Sequence, residues 1–315
     1  MKMMRRANLG IHSSKEFFPI AGNILLVHFL LLLVISCSSE KITQREQGAV
    51  AGPSLGAREQ TQTVTESDPS WVESTLRRMS LEEKVGQMVM PATRGIFISE
   101  DSEEFQRLTR LVKERKVGGL IFFQGNVFET SYLINKLQSY ADIPLLISAD
   151  FERGVAMRIE NTTSFPYVMA LGATRDPKLA YEMGKVIAKE GRALGVHQNY
   201  APVVDVNLNP LNPIINVRAF GENPQLVSEM ADAFMRGMHE GKMISTAKHF
   251  PGHGDTDVDS HSDLPILAFD RERFEKLELA PFRDAIDHGV MSIMVAHLSL
   301  PAYDTAKGIP STLSP

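Results

Sequence analysis

The sequence predicts an α/β fold of the (β/α)8 TIM-barrel type with about six βα units present, and three observations carry that reading. Short apolar runs alternate with amphipathic helical patterns, which at this spacing specifies βαβ units and a parallel sheet. The runs are near-continuous instead of alternating apolar and polar, as suits strands covered on both faces. Polar residues collect at the C-terminal ends of successive runs, the face on which barrel enzymes carry their chemistry.

Taken in order, Ser80-Leu81-Glu82-Glu83 has the spacing of a capping box, so a helix is expected to start there. Strands are expected at Gln87–Pro91, Gly119–Phe123, Pro144–Ala149, Gln198–Pro202, Ile244–Lys248 and Ser292–Ala296. Helices are expected near Glu103–Arg115, Thr130–Tyr140, Pro177–Leu194, Pro224–Glu240 and Arg271–His288. Asp150 and Glu152 follow the third strand, Asp205 and Asn207 the fourth, Lys248 and His249 the fifth, and His297 the sixth. An open doubly wound sheet is the competing closure. It is disfavoured because no G-x-G-x-x-G follows the first strands, and Val117-Gly118-Gly119 precedes a strand instead of following one. The last residues, Ser311-Thr312-Leu313-Ser314-Pro315, read as a helix start, so the barrel is expected to be incomplete in this chain.

The amino end reads as a processing segment. Lys2, Arg5, Arg6 and Lys15 lead into an apolar run from Ile24 to Ile35, broken only by His28, with the length of a signal-peptide core and too short to span a bilayer. Val34-Ile35-Ser36-Cys37 resembles a bacterial lipobox. Residues 1–37 are then a lipoprotein signal with Cys37 lipidated, and the product is exported and anchored on the periplasmic or cell-surface face of a bacterial membrane. An ordinary secretory signal with an incidental cysteine is the alternative. Residues 38–70 are polar and read as a flexible tether, and residues 71–315 as the barrel domain. The net charge of -5 and pI near 6.0 leave no basic footprint for nucleic acid. A single cysteine excludes an intramolecular disulfide, and no protein partner is indicated.

The densest chemistry lies in Lys248–His261, where fourteen positions hold His249, His253 and His261, Asp255, Asp257 and Asp259, Lys248, and the glycines 252 and 254. Asp255-x-Asp257-x-Asp259 imitates a calcium loop, yet the sixth position is Ser260 and the twelfth is Ile266, which rules that geometry out. Zinc on His249, His253 and His261 would lack helical i, i+4 framing. No metal and no cofactor is therefore expected. Acid/base work fits better: Asp259 and His261 stand two apart, so in an extended loop the carboxylate can orient the imidazole, which then titrates near neutral pH.

These residues resemble the β-N-acetylhexosaminidase branch of glycoside hydrolase family 3. The resemblance rests on Lys248-His249-Phe250-Pro251-Gly252-His253-Gly254 with Asp259-Ser260-His261, and runs from about Trp71 to Pro315. Leu81-Glu82-Glu83-Lys84-Val85-Gly86-Gln87-Met88, Asp150-Phe151-Glu152-Arg153-Gly154, Tyr200-Ala201-Pro202-Val203-Val204-Asp205-Val206 and Arg218-Ala219-Phe220-Gly221 extend it. It implies a TIM barrel and a retaining hydrolysis that releases terminal β-linked N-acetylglucosamine, typically from peptidoglycan fragments. It also implies that Asp150, Arg218, Lys248 and His249 hold the sugar's hydroxyls, and that His261 is the general acid/base with Asp259 as its partner. Asp205 is left without chemistry. Arg153 stands where the family usually has glycine. The family's nucleophile, an aspartate, lies beyond a segment like Ser311–Pro315, so none is assigned in this chain; Asp304 comes too early. A β-glucosidase of the same family, or a sugar-binding lipoprotein without catalysis, are the remaining readings.

Overall fold

The computed structural model describes residues 69–315, with side chains from Trp71 onward. The signal segment, Cys37 and nearly all of the tether lie outside the described residues.

Two short helices lead in: α1 (Pro69–Arg78) and α2 (Leu81–Gln87), the latter opened by the reciprocal Ser80–Glu83 capping box. The chain continues through β1 (Ala92–Gly95), α3 (Glu103–Lys113), β2 (Gly119–Asn126), α4 (Val127–Gln138) and β3 (Leu146–Ala149). A two-residue β4 (Ile159–Glu160), α5 (Val168–Thr174) and α6 (Pro177–Ala193) come next. They are followed by β5 (Gln198–Asn199), α7 (Pro224–Glu240), β6 (Ile244–Phe250), α8 (Arg271–Lys276), α9 (Ala280–Asp287) and β7 (Ser292–Val295).

Every pairing is parallel, and the order across the sheet is β1-β2-β3-β5-β6-β7, with β4 beside the far end of β2. The strands follow chain order without reversal. That is barrel winding; a doubly wound sheet would reverse at a switch point. Among the described residues β1 and β7 are the two edges and do not pair with each other. The main core packs Leu120, Phe122, Ile147 and Ala247 of the strands against Leu108, Leu137, Ile187, Phe234 and Phe282 of the helices. Side chains and backbone at the strands' C-terminal ends are left to build one face.

Three expected elements shift. The first strand starts at Ala92, not Gln87, because the capping box carries α2 through Gln87 and sheet pairing begins only when the Pro91 carbonyl accepts from Ile121 N–H. The helix expected over Arg271–His288 divides at Leu277–Leu279, with Pro281, which has no N–H, in the first turn of α9. The fourth strand is only two residues long. Beyond it the chain still runs beside β6, with the Ala201 and Pro202 carbonyls accepting from Thr246 and Lys248 N–H.

His197 links β3 to the start of β5: its backbone N–H donates to the Ile147 carbonyl at 2.8 Å and its Nδ1 accepts from Ile147 N–H at 3.0 Å. Burial, reinforced by the nearby Arg192 charge, lowers this imidazole from 6.5 to about 4. The unfolded chain therefore takes up the proton first, and the fold's stability, complete above pH 6.5, declines as pH falls from 6.5 towards 4. The urea midpoint should fall between about pH 7 and about pH 5, and should fall less in His197→Gln. An equal fall in both proteins would contradict this.

Candidate active site

The face formed by the strand ends holds a buried cluster of charges. Lys248, at the end of β6 and 2% exposed, places Nζ 2.8 Å from Asp150 Oδ1 and 2.7 Å from Glu152 Oε1. Arg218 enters from the loop between β5 and α7 and grips Glu152 with both arms, Nε to Oε2 at 2.9 Å and Nη2 to Oε1 at 2.7 Å. Its Nη1 donates to the Ile214 carbonyl at 2.9 Å, which fixes the fork's orientation. Arg158 reaches Asp150 Oδ2 from the other side at 3.1 Å. Burial alone would raise the Glu152 carboxyl, but Lys248 and Arg218 outweigh it and hold the group well below the usual carboxylate range. Arg218 is correspondingly raised, Glu152 overcoming the opposing effect of burial.

A second buried carboxylate sets the neighbouring imidazole. Asp205 is fully buried and accepts from His249 N–H, from His253 N–H at 2.7 Å, and from His249 Nδ1 at 2.7 Å. Burial works to raise Asp205, and the His249 imidazole with the His253 N–H outweighs it. Burial lowers His249 despite Asp205, so the ring is neutral at neutral pH. With Nδ1–H given to Asp205, Nε2 is left as an acceptor, 3.4 Å from the Arg218 Nη2 donor. The chain passes through this region by way of Gly252, at φ +127°, and Gly254, where a Cβ would sit 1.7 Å from the Val206 carbonyl oxygen.

The four residues expected to hold sugar hydroxyls, Asp150, Arg218, Lys248 and His249, thus stand together on one cleft of about 610 Å³. Asp259 and His261 also meet: Asp259 Oδ1 accepts from His261 N–H at 2.8 Å and lies 2.8 Å from His261 Nδ1. The His261 backbone N–H, then its side chain, lowers the Asp259 carboxyl. The His261 side chain is 79% exposed and stands on the rim of the same cleft. His297 lines the cleft too, with Nδ1 3.0 Å from Thr312 Oγ1. Asp304 instead accepts from Ala306 N–H and the Ser314 hydroxyl, outside this cleft.

From the sequence, Glu152 and Asp205 stood out as polar residues after strands without a role, His253 as a conceivable zinc ligand, and Arg158 not at all. Glu152 had a usable signal, since it follows Asp150 by two at a strand end. Arg158 sits beside a short 3-10 turn, Val155–Met157, whose pattern carries no such hint. The imidazoles of a conceivable zinc site are engaged elsewhere. His253 faces Thr256 Oγ1 and Ser260 Oγ at 2.7 and 2.8 Å, and His249 Nδ1 faces Asp205. Among the described residues no group of three or more His, Cys, Asp or Glu is placed to hold a metal ion.

Acceptors and cationic donors thus face one cleft, with a His–Asp pair on its rim, at the C-terminal face of a barrel-wound sheet, where barrel enzymes carry their sites. Residues 80–315 match the model of the glycosyl hydrolase family 3 N-terminal domain. "Beta-hexosaminidase A" of Pseudoalteromonas piscicida is 41% identical over 218 residues, 65% of this chain and 36% of that protein. "Beta-N-acetylglucosaminidase/beta-glucosidase" of Cellulomonas fimi is 34% identical over 237 residues, 75% of this chain and 41% of that protein. A solved family 3 β-N-acetylglucosaminidase from Paenibacillus sp. str. FPU-7 superposes with a TM-score of 0.68 at 41% identity, covering 75% of this chain and 45% of that one. The chain belongs to glycosyl hydrolase family 3 and spans less than half the length of these three relatives.

Proposed function

We propose that the whole protein is a retaining glycoside hydrolase that releases terminal non-reducing β-linked N-acetylglucosamine, from peptidoglycan fragments or related glycans. The observation that carries this is the Asp259–His261 pair on the rim of the cleft floored by Asp150, Arg218, Lys248 and His249. The names of the relatives, hexosaminidases and N-acetylglucosaminidases among them, support the sugar assigned.

In this reading the sugar's hydroxyls donate to Asp150 and accept from Lys248 and Arg218, while His249 Nε2 offers an acceptor. Asp259 occupies His261 Nδ1, which leaves Nε2 to carry the proton outward. His261 gives that proton to the leaving oxygen as a carboxylate nucleophile bonds to the anomeric carbon and the glycosidic bond breaks. His261 then takes a proton from water as water displaces the enzyme carboxylate. No residue of 69–315 is assigned the nucleophile's role. Lipid on Cys37, which lies outside the described residues, would hold the enzyme on the outer side of a bacterial membrane.

In the whole enzyme, His261→Ala should lower kcat on a nitrophenyl N-acetylglucosaminide by about 10²- to 10⁴-fold with little change in KM; activity within a few-fold of wild type would sink the assignment. The corresponding glucoside, assayed alongside, should be turned over far more slowly. Cys37→Ala should move the protein from the membrane fraction to the soluble fraction, and unchanged partitioning would exclude the anchor.

A further inference from the structure

Among the described residues, the turn that carries the Asp259–His261 pair is tied to the rest by one hydrogen bond. Within residues 257–264, Ser262 and Asp263 N–H donate to the Asp259 carbonyl, and His261 pairs with the Asp259 carboxylate. Among the described residues the one bond leaving this segment joins Ser260 Oγ to His253 Nε2 at 2.8 Å. Ser260 sits between Asp259 and His261, so that bond falls at the centre of the pair.

His253 is a rigid post. It is 1% exposed, and its other ring nitrogen faces Thr256 Oγ1 at 2.7 Å. Its N–H donates to Asp205 Oδ1 at 2.7 Å, and its carbonyl accepts from Asn212 Nδ2 at 2.8 Å. The carboxylate that holds its backbone is the one that orients His249. A continuous set of hydrogen bonds therefore runs from His249, through Asp205 and the His253 backbone, across the His253 ring to Ser260.

We propose that His253 is a positioning residue that sets, through Ser260, where His261 stands over the cleft. This rests on the acid/base reading of His261 above. A buried histidine that only satisfies its own nitrogens would stabilise the fold and leave proton transfer unaffected. A histidine that aims the acid must change how strongly the rate depends on the leaving group, because a poor leaving group needs the proton more than an activated aryl group does.

The test uses the whole enzyme with Ser260→Ala, which removes only a hydroxyl from a partly exposed turn. kcat/KM should fall about tenfold with an alkyl N-acetylglucosaminide, the scale of one lost hydrogen bond, and clearly less with a dinitrophenyl one. KM and the thermal midpoint should hold, and Ser260→Thr should restore the rate. His253→Leu should show the same leaving-group dependence, and adding Ser260→Ala to it should cost nothing further. Equal losses on both substrates, or wild-type rates in Ser260→Ala, would overturn the positioning role. His261→Ala separates the two ideas. If it lacks the leaving-group dependence, the acid/base reading falls and this proposal with it; if it shows the dependence while Ser260→Ala behaves as wild type, the positioning role alone falls.

Discussion

The site depends on one buried carboxylate held between two cations. Glu152 lies between Lys248 and Arg218, and all three belong to different parts of the chain: the end of β3, the end of β6, and the loop after β5. An unpaired ammonium buried as deeply as Lys248 would be expelled or neutralised, so the pairing is what allows a cation to stand at a strand end. Breaking such a pair by removing one partner leaves the other charge uncompensated. Asp150 and Arg158 add a second carboxylate and a third cation, so the cluster presents both acceptors and donors to the cleft. A polyhydroxylated ring asks for that mixture, since each hydroxyl both gives and takes a hydrogen bond.

Asp205 does for the loop after β6 what Glu152 does for the strand ends. It collects two backbone N–H groups and one imidazole within the same loop, so residues 249–253 fold around a buried negative charge. Burial holds the His249 ring below its ordinary value against the pull of Asp205, and the bond from Nδ1 to that carboxylate leaves Nε2 as its outward acceptor. The Asp259–His261 turn beyond it is built differently: local hydrogen bonds give it shape, and among the described residues one bond, from Ser260 to the His253 ring, ties it to the rest. The firmly held Lys248 and His249 and the lightly held Asp259–His261 turn thus come from one continuous stretch of chain.

Much of the fold was legible because α/β winding leaves a strong pattern. Pro224–Glu240 was read to the residue, since one face of that stretch is buried along its whole length. The first strand was misplaced because Met88 and Val89 are apolar yet stay exposed at 84% and 48%; hydrophobicity there does not signal sheet. Asp150, Lys248 and His249 were legible as polar groups interrupting apolar runs, while Arg218 and the pairing of Asp259 with His261 leaned on resemblance and close spacing. Glu152 and Asp205 were legible as polar residues after strand ends but not in their roles, because their partners Lys248, Arg218 and His249 come from later strands and loops; Arg158, eight positions from its partner Asp150, carried no local signal. His253 was hidden for the opposite reason: it stood among so many titratable neighbours that it looked like one more candidate ligand.

The most direct measurement is the calorimetric affinity of the whole protein for N-acetylglucosamine, compared between wild type and Glu152→Gln. Glutamine keeps the shape of the side chain and removes the charge that holds Lys248 and Arg218. The account predicts a variant with native circular dichroism, a lowered denaturation midpoint and an affinity at least about tenfold weaker, the size expected when a charged hydrogen-bond partner is lost. A folded Glu152→Gln protein that binds the sugar as tightly as wild type would contradict it, and would mean that the cations are held in place by something other than Glu152.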